Sequence, residues 1–372
     1  MKLDRLHLNS QRVKPSIISF SFFVLFSSSY IANASVSLER TIKESGESLS
    51  SVSALLAGNE GRLLVLENEN GILAEYKGKA ATRYNLVKKK VFESEGVMGL
   101  ARFDENSYLV SNKDDNVIAV IDSEGNLIQK FGESGSREGQ LDEPAGIDWS
   151  HNGRLYVADK GNNRISVFGQ DGVFIKAFGR IGLKEEQRLE SPVQVFVDMK
   201  ERIYVLEKDN NGRVSIFNHN GKLLQQLRNK DFDKLAGGET EIINITIDDA
   251  GLLYVADKEN GRIFQIDWQS KKLISSFGSK GEQRGQFEEV SGMVILPGNK
   301  IAVADTENKK IEIYRLDDNN YKKLKKFYLP TVAYERSIKL KCSIAYRLRG
   351  GNVLCLDSDS NKVAAYKSSG KK

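Results

Sequence analysis

Cysteine and histidine are almost missing from this chain of 372 residues, which has two of the first and three of the second. Both cysteines, Cys342 and Cys355, lie near the C-terminus, so no disulfide framework holds the chain together. The pair has two readings: a bridge formed in an oxidising compartment, or two small apolar residues buried side by side. Past the first residues only His151 and His219 remain, in the turns Ser-His-Asn-Gly and Asn-His-Asn-Gly. A zinc centre needs about three or four converging ligands, and two turn histidines do not supply them. No Walker-type phosphate loop, dinucleotide fingerprint or glycine-flanked nucleophile elbow is present. Beyond residue 34 no apolar run approaches the ~20 residues that span a bilayer. Proline is also scarce, at 5, whereas glycine stands at 32 and tyrosine and phenylalanine at 13 and 17. Glycine turns between aromatic and β-branched runs predict short strands.

Residues 1–34 stand apart from that pattern. Lys2, Arg5, Arg12 and Lys14 precede an apolar stretch, Ile17–Ile31, and then Ala32-Asn33-Ala34. This order of basic, apolar and small residues predicts a secretory signal peptide cleaved after Ala34. The expected location is outside the cytoplasm, periplasmic or secreted. Cleavage leaves 51 bases against 49 acids, so the whole-chain charge of +5 falls to about +2 and gives no argument for nucleic acid.

The remainder, 35–372, is repetitive. Leu155-Tyr156-Val157-Ala158-Asp159 returns as Ile203–Glu207, Leu253–Asp257 and Ile301–Asp305, with weaker copies at Leu63–Glu67, Tyr108–Asn112 and Val353–Asp357. The last residues of these copies are 45, 47, 48, 50, 48 and 52 apart. Around each copy the sequence proposes four strands separated by Asn-Gly or Asp-Gly turns, the pattern of a propeller blade. The expectation is therefore all-β: a single β-propeller of four-stranded antiparallel blades, seven preferred and six as the fallback. The last repeat lacks a fourth strand after Lys362–Tyr366. The alternating segment Val36–Ile42 is expected to fill that place and close the ring.

The central motifs resemble the NHL repeat family: Gly139-Gln140-Leu141-Asp142-Glu143-Pro144, Tyr156-Val157-Ala158-Asp159, Asn163-Arg164-Ile165 and Phe178-Gly179. The resemblance implies a propeller but leaves function open, because the family and its relatives include interaction scaffolds, RNA binders, hydrolases and lyases. The lyase relatives hold zinc through histidines, and this chain departs from them there. The leading expectation is a non-enzymatic scaffold that binds a protein or an anionic envelope polymer through loops on one propeller face. The alternative is a Ca²⁺-dependent lactonase or esterase, or a strictosidine synthase-like hydrolase.

The acids ending strand two, such as Asp159, and the bases after the next turn, such as Arg164 and Arg213, recur in several repeats and are expected to be structural. Just before strand one, Glu95, Glu143, Glu190, Glu241 and Glu289 recur in five repeats. They are expected at the channel rim, where crowded carboxylates raise one another's pKa or recruit a cation such as Ca²⁺; the competing reading is that each solvates its loop. No other cofactor is expected. Residues 309–349 carry 12 bases against 4 acids, and Lys322, Lys323, Lys325, Lys326, Lys339 and Lys341 are the expected basic surface.

Overall fold

The computed structural model describes residues 5–6, 36–42, 49, 51–58, 62–68, 71–77, 80–85, 91–92, 96–179, 188–208, 212–248, 251–297, 299–316, 344–347, 352–357 and 362–367. Two compact units divide the chain: one of Ser21–Phe327, the other of Met1–Phe20 with Tyr328–Lys372.

In the larger unit each repeat folds where the turn chemistry places it. Blade 3 is typical, with strands Pro144–Trp149, Arg154–Asp159, Arg164–Gly169 and Phe174–Phe178 paired in order, all antiparallel. Gly153 and Gly172 supply the positive φ of 74° and 76° that its two hairpin turns require. Blade 1 starts at Val52, blade 2 at Val97, blade 4 at Pro192, blade 5 at Ile242 and blade 6 at Val290. The propeller therefore has six blades rather than the seven preferred from the sequence.

The N-terminal strand accounts for the difference. Val36–Ile42 pairs with Lys310–Leu316, from Val36 opposite Leu316 to Ile42 opposite Ile311, as the outermost strand of blade 6. It does not join the sheet of Lys362–Lys367, as the sequence reading expected. That edge of blade 6 needs an alternating partner, and Val36–Ile42 alternates where the lysine-dense sequence after Leu316 does not. The seventh repeat falls in the smaller unit, where Ile344–Arg347, Asn352–Asp357, Lys362–Lys367 and Arg5–Leu6 make a separate four-stranded sheet.

The apolar core lies between blades. Among the described residues six clusters of buried side chains are each shared by two neighbours, such as Ala101, Leu109, Ile147 and Leu155 between blades 2 and 3. Leu49, Val52 and Val65 of the first repeat pack with Leu296, Ala302 and Ile311 of blade 6. Strand one of each blade is an edge strand, with main-chain groups that need partners. Neighbouring blades supply them. Asp148 accepts the N–H of Val197 at 2.7 Å, Gln194 that of Ile245 at 2.8 Å, and Asn244 donates to the Ser291 carbonyl at 2.9 Å. Blades 3 and 4 also approach closely at Gly146, where a Cβ would lie 2.7 Å from the Gln194 Cα.

Among the described residues no helix is long and apolar enough to cross a membrane.

Candidate functional site: the face of latched loops

Successive turns of an antiparallel blade emerge on alternate faces, so the 2–3 turns and the 4–1 connections share one. On that face a buried acid at the end of strand two organises the connection that leads into blades 3, 4, 5 and 6. In blade 3, Asp159 Oδ1 accepts the Asp142 N–H at 2.8 Å and the Asn162 amide at 2.9 Å. Its Oδ2 takes Arg164 Nε at 2.6 Å and the Ser166 hydroxyl at 3.0 Å. Fixed in this way, the buried guanidinium donates into the loop that arrives from blade 2, to the carbonyls of Ser136 (2.9 Å), Arg137 (3.0 Å) and Gln140 (2.7 Å). Asn162 adds the Gly135 carbonyl at 2.9 Å, and a parallel bridge from Ser134 to Leu141 closes the loop base.

Blade 6 repeats the device with other residues. Asp305 accepts the N–H groups of Glu288 (3.2 Å) and Glu289 (3.1 Å) and the Asn308 amide (2.7 Å). Lys310, 1% exposed, donates to the carbonyls of Gln286 at 2.6 Å and Gln283 at 2.9 Å. Glu312 lies 3.5 Å from the ammonium and accepts the Gly285 N–H at 3.1 Å. The Tyr314 hydroxyl donates to Glu312 at 2.6 Å; burial, reinforced by that bond and the carboxylate charge, pushes the phenol pKa up. Asn308 reaches the Gly281 carbonyl at 3.0 Å, and Lys280 bridges to Phe287. In blade 4, Glu207 accepts Arg213 Nε at 3.0 Å and the Glu190 N–H at 2.8 Å, and Arg213 donates to the Arg188 carbonyl at 2.9 Å. Burial raises the Glu207 carboxyl, opposed by Arg213.

Two of the acids expected at the rim, Glu143 and Glu289, meet lysines. Glu143 is exposed and paired with Lys160, whose hydrogen bond and charge hold its carboxyl below the usual range. Glu289 pairs with Lys258 at 2.9 Å and raises that ammonium. Glu190 and Glu241 are tied through their main-chain N–H groups to the blade acids, Glu241 to Asp257 at 3.1 Å. Glu95 lies outside the described residues, as do Lys322, Lys323, Lys325, Lys326, Lys339 and Lys341. Among the described residues no group of three or more His, Cys, Asp or Glu could hold a metal ion. A cavity of about 320 Å³ opens beside the helix Asn229–Ala236, lined by Asn229, Asp233, Glu239, Thr240, Glu241 and Glu259.

Two contributions escaped the sequence reading. Lys310, counted there in a basic stretch, is a buried latch. Asn116 and Asn163, at φ 56° and 51°, accept the N–H groups of Glu143 and Ser191 of the next blade, both at 2.8 Å. The signal was present for the neighbouring amides: asparagine recurs three residues after the blade acid at 162, 260 and 308.

The sequence profile of the NHL repeat matches residues 141–168, which hold the Asp159–Arg164 latch. The chain is an NHL-type β-propeller protein. No curated protein matches the sequence of this NHL propeller. Among solved structures it is similar to virginiamycin B lyase from Staphylococcus aureus, at 13% identity over 77% of this chain and 100% of that one, with a TM-score of 0.52. It is also similar to hydrazine synthase from Kuenenia stuttgartiensis, at 12% identity over 74% and 97% of the two chains, with a TM-score of 0.51. The WD40 propeller domain of Doa1 follows at 11% identity, 76% and 98% coverage and a TM-score of 0.50. At such identities the likeness is one of fold alone.

Proposed function

We propose that this NHL propeller is a non-enzymatic binding scaffold of the cell envelope or extracellular space, holding a protein or anionic polymer on its latched face. The latch itself carries the reading. Loops 133–141 and 279–287 are bolted from below by buried cations, so their outer residues are presented in fixed positions. A preordered surface spends less entropy on association. The two loops share a backbone scheme but display different side chains, Arg137 and Glu138 on one, Glu282 and Arg284 on the other, which suits recognition better than structure. The leader-like residues 1–34 support export, and Val36–Ile42 acts as the strand that closes the ring.

Crosslinking in producing cells tests the binding role. The parent chain is compared with one in which residues 135–140 and 281–286 are replaced by glycine and serine. Loss of the crosslinked partner is expected, and capture of the same partner with undiminished yield would defeat the reading. N-terminal sequencing of the exported protein should begin at Ser35. An uncleaved chain retained in the cytosol would remove the envelope from the proposal.

A further inference from the structure

The other face of the ring, where the 1–2 and 3–4 turns emerge, differs sharply on blades 3 and 4. Val173 and Met199 are 60% and 67% exposed, and Ile175 and Leu224 are 46% and 45% exposed. Leu127 and Ile128, also exposed, continue the apolar strip onto blade 2. The segments of blades 3 and 4 that carry them touch one another. Lys176 on the outer strand of blade 3 donates to the His219 carbonyl in the 3–4 turn of blade 4 at 2.5 Å. His151 Nδ1 lies 3.0 Å from Glu201 Oε1, joining the two 1–2 turns. Ile128, Ile175 and Leu224 each sit where the ladder of the outer strand skips a residue. Such bulges spoil the edge for an added strand, so what remains to be recognised is a row of aliphatic side chains.

Charge narrows the occupant. In the same sector Arg154, Lys176, Lys200, Arg202 and Lys222 outnumber Asp171, Asp198 and Glu201. Asp198 is engaged by Arg202 at 2.6 Å, Glu201 faces His151, and Asp171 accepts the Val173 N–H at 3.1 Å. Asp148 lies at the base of this sector, bound to the N–H groups of Trp149 and Val197. Partial burial, then the charge of Arg154, lowers the Lys176 pKa; burial and Arg202 do the same to Lys200. Positive charge is therefore crowded here, and a negative surface would relieve it. The turns of blade 2 are acidic by contrast, with Asp104, Glu105, Asp122 and Glu124, whereas in blade 5 Lys271 and Lys272 balance Asp248 and Asp267.

We propose that the 1–2/3–4 face of blades 3 and 4 docks on an anionic lipid bilayer. Exposed aliphatics on and beside the turns of one face, with ammonium and guanidinium groups among them, match an interface whose headgroups are acidic and whose interior is apolar. The aliphatics stand as knobs, and the cavity described above is on the opposite face. A fluid surface accommodates knobs, whereas a folded partner would need matching hollows. Docked in this way, the propeller presents its latched loops away from the membrane.

Flotation with vesicles of phosphatidylcholine containing a minority of phosphatidylglycerol, against pure phosphatidylcholine, tests this on the full chain. Binding to the anionic vesicles that weakens with added salt is expected. Val173→Ser/Met199→Ser and Lys200→Glu/Lys222→Glu should each reduce partitioning more than about tenfold, with melting temperatures close to the parent's. No binding of the parent to the anionic vesicles would overturn the proposal. So would binding that both double variants retain, since attachment would then run through another part of the chain.

Discussion

Loops 133–141 and 279–287 have the same base, the same amide from the 2–3 turn and the same buried acid, but different cations beneath them. Arg164 binds Asp159 and three loop carbonyls in one plane. Lys310, a point charge with three donors, reaches two carbonyls and sits between Asp305 and Glu312. The planar fork needs one carboxylate; the ammonium is accompanied by two. Cation and surroundings have been exchanged together, which is why a lysine can stand where blades 3, 4 and 5 place arginine.

The sharpest way to break this comparison is Arg164→Met. It strands Asp159 in the core and frees three carbonyls, and it should cost about 3–5 kcal/mol; chemical denaturation measures it. Arg164→Lys comes next. Without a second carboxylate at that site, the ammonium loses carbonyl partners, and a loss of about 1–3 kcal/mol is expected. Equal stability of Arg164→Lys and the parent would mean that the two sites are interchangeable after all.

The blade seams extend the contrast between charged and neutral groups in one role. Asp148 bridges blades 3 and 4 with a carboxylate, Gln194 bridges blades 4 and 5 with an amide. Burial raises the Asp148 carboxyl from 3.8 to about 7, against the pull of its two N–H bonds. Between those values the folded chain holds a proton that the unfolded chain has lost. Stability from this group therefore falls as pH rises from about 4 to about 7 and is level above. Asp148→Asn should flatten that slope, and denaturation midpoints across the window would show it. The smallest effect is expected at the rim. Glu143→Gln removes an exposed pair with Lys160 and should change stability by no more than about 1 kcal/mol.

The blade plan was legible because turn glycines and period-two strands are local signals. The blade count was not. Seven copies of one motif are present in the sequence, and the pairing of Val36–Ile42 with Lys310–Leu316, a contact between distant segments, completes a sixth blade instead of the seventh. The anchor acids were readable as structural from their recurrence. The pairing of Glu143 and Glu289 with lysines was not, because Lys160 and Lys258 belong to turns that spacing alone does not aim at them. Lys310 was misread for a related reason: in a run of lysines nothing marks the one that folds inward. The bulges that expose Ile175 and Leu224 depend on cross-strand register, which a single strand's sequence does not contain.

Among the described residues every apolar cluster of the propeller is held in common by two blades, so a blade lifted out would leave two faces bare. No single blade owns a complete interior, and the smallest part able to stand by itself is the set of six. Heating should therefore melt the six sheets together, in one calorimetric transition. Change in such a molecule is confined to where no interior is shared: the loops above and the turns below.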